Sequence, residues 1–289
     1  MHKVDKLREY IEVSVLKIVN QNFRIRLSKE LAKKYKAGVY TNEIKNLARY
    51  IEQIKKLGLQ YPANASPIFY VYIVPDGDFI DLLQYPHKTR KGGGRPVSCY
   101  DIDGFNSAYG QSQNMFENVS DEEPSVSRTV NNIHEFAHLI HDQFFNKNRF
   151  ISEGFAETLP LYSMDYESKF DEHRNALKNM KLNQIFSPKE LLDMGKNNTF
   201  GGKAIIPDRS CSFDLAYISS YLFVRGCVET IASKFNINRV KATQKFLEIV
   251  RNSQCTSEWL VFDLSNVLGI PQDELLNKKK LQINTLKKL

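Results

Sequence analysis

Three of the chain's six histidines fall within eight residues: His134, His138 and His141. The first two belong to His134-Glu135-Phe136-Ala137-His138, the pattern H-E-x-x-H. On a helix, residues four apart share a face, so both imidazoles can reach one metal ion. A catalytic zinc takes three protein ligands and keeps one position for water, so a third ligand is required. Thirteen residues after His138 begins Ile151-Ser152-Glu153-Gly154-Phe155-Ala156-Glu157. Glu153 and Glu157 are again four apart. Glu153 can reach the metal from a second helix. Glu157, one turn later, can accept the outer N–H of a metal-bound imidazole. Gly154 weighs against a solvated helix face, because glycine inside a helix costs about 1 kcal/mol unless close approach is needed.

These residues need helices to hold them. Val126, Val130, Ile133, Ala137, Ile140 and Phe144 form an apolar stripe that predicts a helix over 125–145, with His134 and His138 off the stripe. Pro124 suits its first turn, and Asp121, Glu122 and Glu123 suit its positive end. The polar stretch 142–150 then reads as the turn to an antiparallel helix over about 151–163. Further helices are expected over 188–194, 213–234, 238–251 and 272–287. In the 213–234 helix, Ser212 is the expected cap, and Asp214, Tyr217, Ser220, Tyr221 and Arg225 follow. His141 reads as a helix-end or outer-sphere group, and His87 and His173 have no partner at ligand spacing.

The first part of the chain reads differently. Val4, Leu7, Ile11, Val15, Ile18 and Val19 stand at helical spacing over 3–20. Phe23, Ile25 and Leu27 alternate as a short strand, and Thr41 to Gly58 reads as a helix. Pro67 to Val74 is an apolar strand. Residues 86–106 read as a long loop around Gly92-Gly93-Gly94, and 107–119 hold one or two strands. The composite is α+β: an α/β lobe with a small sheet over 1–120 and a helical lobe over 121–289. Together they make a single unit over 1–289, with the active site in the cleft between its lobes.

His134-Glu135-x-x-His138 followed by Ser-Glu-Gly-Phe-Ala-Glu resembles the gluzincin metallopeptidases, the group of thermolysin, the zinc aminopeptidases and the microbial collagenases. The resemblance covers about residues 65–235 and is closest in strand order to the collagenase and aminopeptidase catalytic domains. It implies a thermolysin-like unit with one zinc ion on His134, His138 and Glu153, and Glu135 as general base. It also implies a sheet whose edge strand binds substrate. The base role is physically sound, since Glu135 adjoins a ligand, and zinc acidifies its water and polarises the scissile carbonyl. In the aminopeptidases a tyrosine in a Tyr-x-x-Gly setting stabilises the oxyanion. Tyr217 with Ser220 fits that setting, and Tyr221 is the other candidate. Gly104 to Gly110 is the expected edge strand, with Ser107, Ala108, Tyr109 and Gly110, together with Tyr221, against the substrate. The aminopeptidase Gly-x-Met-Glu-Asn motif is matched only as Asn114-Met115-Phe116-Glu117-Asn118, with an extra Phe and no leading Gly. The reading is therefore a zinc endopeptidase acting on peptide or protein substrates. An aminopeptidase and a catalytically silent peptide-binding module of the same fold are the alternatives.

Composition agrees with a globular chain. Of 289 residues, 42% are hydrophobic and 25% charged, which excludes disorder and coiled coil as descriptions of the whole. The longest apolar run, Ile68 to Val74, is far short of the roughly 20 residues of a membrane span. A net charge of +7 is dispersed and comes with no aromatic-interleaved RNA motif or DNA-reading module, so no nucleic-acid partner is expected. Cys99, Cys211, Cys227 and Cys255 form no CxxC pair and are expected to be reduced and mostly buried. The charged segment Met1 to Glu9 lacks a signal peptide's apolar core, so the expected compartment is the cytoplasm. Export by another route, or prior removal of a signal, is the alternative.

Overall fold

The computed structural model describes residues 10–18, 21–27, 29–34, 68–75, 96–99, 113–119, 149–164, 184–196, 215–253 and 257–288. The chain divides into two compact units, Met1–Leu139 and Ile140–Leu289. The described part of the first holds a mixed sheet, and that of the second is helical, which makes the class α+β.

The sheet of the first unit is built from β1 (Ile11–Ile18), β2 (Gln21–Leu27), β3 (Ile68–Pro75), β4 (Pro96–Cys99) and β5 (Gln113–Val119), in the order β1-β2-β3-β5-β4. β2, β3 and β5 run parallel, and the outer strands β1 and β4 are antiparallel to their neighbours. The position of β3 between two parallel strands accounts for its unbroken apolar run. A short helix, α1 (Lys29–Lys34), follows β2.

Two expectations are corrected here. Residues 11–18 form a strand, although 3–20 carry helical spacing. Ile11, Val13 and Val15 also satisfy a period of two, and β-branched residues fit a pleated surface. The ladder closes at Ile18↔Gln21, so β2 is the nearest possible partner. Glu12 receives a hydrogen bond from Arg24 Nη1 at 3.2 Å across this pair. Similarly, β4 lies inside the stretch read as a loop. Its four residues are too few to show alternation, and its first residue is the proline that an edge strand tolerates there.

The second unit holds α2 (Arg149–Met164), α3 (Pro188–Lys196), α4 (Leu215–Phe235), α5 (Arg239–Asn252), α6 (Ser257–Leu268), α7 (Gln272–Asn277) and α8 (Lys280–Lys288). α4 is its axis. Residues Ile218 through Val228 are all buried, the signature of a helix surrounded by others, and α2, α3, α5, α6 and α8 pack on it. Phe155 of α2 stacks on Phe246 of α5 at 6.1 Å, and Phe150 meets Phe223 of α4 edge-on at 5.4 Å. The Cys227 thiol lies fully inside this core, and burial pushes its pKa far above the ordinary thiol range.

Local signals set the helix ends. Ser187-Pro188-Lys189-Glu190 is a capping box. The Ser187 N–H and hydroxyl both donate to Glu190 Oε2, at 2.6 and 2.8 Å, while the Glu190 N–H donates to Ser187 Oγ at 3.3 Å. Asn238 Oδ1 accepts from the Lys241 N–H at 2.9 Å and caps α5. α6 ends at Gly269, whose φ of 71° suits glycine.

α6 is absent from the sequence expectation, because Trp259-Leu260-Val261-Phe262 is a continuous run that hides the spacing of buried Leu260, Leu264 and Leu268. The single helix expected over 272–287 is instead two. Lys278 leaves helical geometry at φ −97°, ψ 130°, which lets α8 turn its buried residues Leu281 and Thr285 onto α4 at Gly226. Among the described residues, no helix is long and apolar enough to cross a membrane.

Candidate functional site

The third-ligand helix is the part of the expected site that the structure describes. Glu153 is the fifth residue of α2 and only 6% exposed. Glu157, one turn on, is half-buried. A solvated helix face is therefore excluded for Glu153, since carboxylates are buried only when paired or coordinating.

What seats this carboxylate is the next residue. A Cβ on Gly154 would stand 2.4 Å from the backbone carbonyl oxygen of Ser220 and 2.8 Å from Val224 Cγ2. α2 and α4 thus touch backbone to backbone, and glycine is the residue that permits it. Both small partners are locally satisfied. The Thr158 hydroxyl donates to the Gly154 carbonyl at 2.6 Å, and the Ser220 hydroxyl donates to the Ala216 carbonyl at 2.7 Å. The close approach inferred from Gly154 is real, and its partner is the serine of the Tyr-x-x-Ser setting.

That contact sets Gly154, the residue after Glu153, against Ser220, which stands between the two tyrosines on α4. Tyr217 is half-buried and Tyr221 completely buried. Arg225, 9% exposed, donates from Nη1 to the Tyr221 hydroxyl oxygen. Its guanidinium carbon lies 5.8 Å from the Tyr221 ring centroid. This pairing has a sequence signal in the four-residue step from Tyr221 to Arg225, but the step alone names no partner.

His134, Glu135 and His138 lie outside the described residues, as do the other four histidines. Among the described residues no cluster of three metal-ligating side chains occurs. Ser107, Ala108, Tyr109 and Gly110, the expected edge strand, also lie outside them, as do Ser212 and Asp214. The outer strands of the described sheet are β1 and β4, each antiparallel to its neighbour. Asn114 to Asn118 are ladder residues of β5, paired with β3 on one side and largely with β4 on the other. Compared with known protein families and with curated proteins, the chain matches neither.

Proposed function

We propose that the protein is a zinc-dependent peptidase, an endopeptidase with a thermolysin-like catalytic unit of the gluzincin type. The observation that carries the reading is Glu153: a carboxylate fifteen residues after H-E-x-x-H, buried on a helix seated too tightly for a methyl group at its neighbour Gly154. The donor set of two imidazoles and one carboxylate is that of a catalytic zinc with one open position. His134, His138 and Glu153 would hold the ion, which when bound supplies a Lewis acid and acidifies water.

The chain's own groups do the rest. Glu135 takes the proton of the attacking water and returns it to the leaving amine. Tyr217, which keeps surface on the α4 turn facing α2, donates to the oxyanion. Glu157 accepts from the outer N–H of a histidine ligand and fixes its ring. Gly104 to Gly110, the expected edge strand, offers backbone groups to an extended peptide. Asn114 to Asn118 sit within the sheet, so their backbone is engaged there.

The test is elemental analysis for zinc, followed by hydrolysis of blocked and free-amine peptides by the wild type and Glu135→Gln. One zinc per chain, cleavage of blocked peptides, and a fall of at least the roughly 10²–10⁴-fold typical of general-base loss in the zinc-loaded variant are expected. Cleavage of free-amine peptides alone would make it an aminopeptidase. A zinc-free, inert protein would make it a binding module.

A further inference from the structure

α4 carries a positive charge through the middle of a core. Arg225 lies between Val224 and Gly226, both buried. A buried guanidinium is costly unless hydrogen bonds compensate it. One of its donors goes to the Tyr221 hydroxyl oxygen, one turn back, and its plane also approaches that ring. A phenol that accepts a hydrogen bond keeps its own proton to give. Tyr217 stands one further turn toward the helix N-terminus. Tyr217, Tyr221 and Arg225 therefore form a row at four-residue steps, running from half-exposed to fully buried.

We propose that Arg225 is a positioning residue. It locks the Tyr221 ring as the support for Tyr217 and holds one fixed positive charge two turns behind it. The proposal rests on the peptidase reading. Its observation, the buried Arg225–Tyr221 pair, is separate from the one that carries that reading. Full burial gives Tyr221 the role of strut rather than of substrate contact. The eight-residue step from Tyr217 to Arg225 is about 12 Å of helix rise. At that distance and an effective dielectric of about 20, a unit charge changes a rate that develops negative charge by roughly tenfold.

The experiment uses the full chain loaded with zinc, as wild type, Arg225→Met, Arg225→Lys, Tyr221→Phe and the Tyr221→Phe/Arg225→Met double variant. kcat and KM are measured on one blocked fluorogenic peptide. Affinity for a phosphonamidate peptide shaped like the tetrahedral intermediate, and urea midpoints of the metal-free proteins, are measured alongside.

Arg225→Met is expected to lower kcat about tenfold with KM within about twofold, and to weaken phosphonamidate binding by the same factor. Arg225→Lys should recover most of the loss. The double variant should be no worse than Arg225→Met, because the pair acts as one unit. If Arg225→Met fails to fold, Tyr221→Phe, which removes the hydrogen bond and keeps the charge, should lower kcat and phosphonamidate affinity together by a smaller factor, with KM within about twofold. A folded variant with wild-type kcat and phosphonamidate affinity would overturn the proposal and leave the peptidase reading standing. A wild type that neither binds zinc nor cleaves peptides would overturn both.

Discussion

Gly154→Ala gives opposite signs under two accounts of α2. On an exposed helix the added methyl stabilises, because alanine is better than glycine in a helix interior by about 0.5–1 kcal/mol. Here the new Cβ would lie 2.4 Å from the Ser220 carbonyl oxygen, about 1 Å inside ordinary contact. That obstacle is backbone in the middle of a buried helix, so no rotamer change relieves it. α2 and α4 must move apart, and Val224 Cγ2, at 2.8 Å, must move with them. Overpacking of this kind typically costs about 1–3 kcal/mol, and a backbone obstacle belongs at the upper end. Subtracting the gain in helix propensity leaves a net loss of about 2 kcal/mol.

For a unit of this size that is a fall of roughly 4–8 °C in Tm. Thermal and urea unfolding of the metal-free protein followed by circular dichroism would measure it. The same displacement moves Glu153, and a misplacement of order 1 Å can cost about 100-fold in turnover. Gly226→Ala serves as the comparison. Its Cβ would meet the Thr285 hydroxyl oxygen at 2.8 Å and the Leu281 carbonyl at 3.1 Å, so it should loosen α8 without that loss of turnover. A Gly154→Ala protein with an unchanged or raised Tm would refute the close-packing argument and remove the structural support for Glu153 as a seated ligand.

Two further outcomes are expected. Glu153→Gln should weaken zinc binding far more than Glu157→Gln, whose outer position predicts a loss of about 10–100-fold in a competitive chelator titration; the reverse order would move the third ligand to Glu157. Ser187→Ala should destabilise α3 by about 1 kcal/mol near neutral pH through loss of the cap. Burial alone raises the Glu190 pKa, but the Ser187 N–H and hydroxyl together with Lys279 outweigh it and hold the group below its ordinary 4.5. A carboxylate lowered in this way stabilises the fold above pH 4.5, and the contribution is lost as pH falls through the lowered value. The gap in urea midpoint between wild type and Ser187→Ala should therefore narrow as pH falls below that point.

How much of this was legible in the sequence depended on the range of the signal. Gly154 was readable because a glycine inside a helix contradicts local propensity, and such a contradiction demands a neighbour. The identity of that neighbour, Ser220, was not readable, since it lies 66 positions away and makes the contact with its backbone. β2 announces itself by alternation and β3 by a continuous apolar run, whereas β5, Gln-Asn-Met-Phe-Glu-Asn-Val, shows neither pattern. β1 does not, because Ile11 and Val15 satisfy both a period of four and a period of two, and pairing with β2 decides between them. β4 takes its conformation from β5 rather than from its own four residues. The capping box of α3 and the asparagine cap of α5 were written locally in full. The break at Lys278 was not, because it follows from how α8 docks on α4.

The departures from local rules in the second unit are not spread evenly. α4 places Ser219, Ser220 and Arg225 among fully buried positions, and α2 places Glu153 and Gly154 there. Each is unfavourable by the rules that govern helices and cores one residue at a time. Gly154 and Ser220 meet at one crossing, where Gly154 also touches Val224, while the Ser219 hydroxyl accepts from the Phe186 N–H at 3.0 Å. The seam at Gly226 shows what packing alone demands: a glycine opposite Thr285 and Leu281, with the Thr285 hydroxyl satisfied by its own helix at 2.8 Å. At the Gly154 seam the residue before the glycine is the buried carboxylate Glu153, and the α4 residue it meets, Ser220, stands between Tyr217 and Tyr221. Sequences keep such costly groups together where a site must be held rigid, because locally consistent alternatives would fold as well or better. The proposed peptidase would give the residues of the α2–α4 crossing a chemical role that stability alone does not supply.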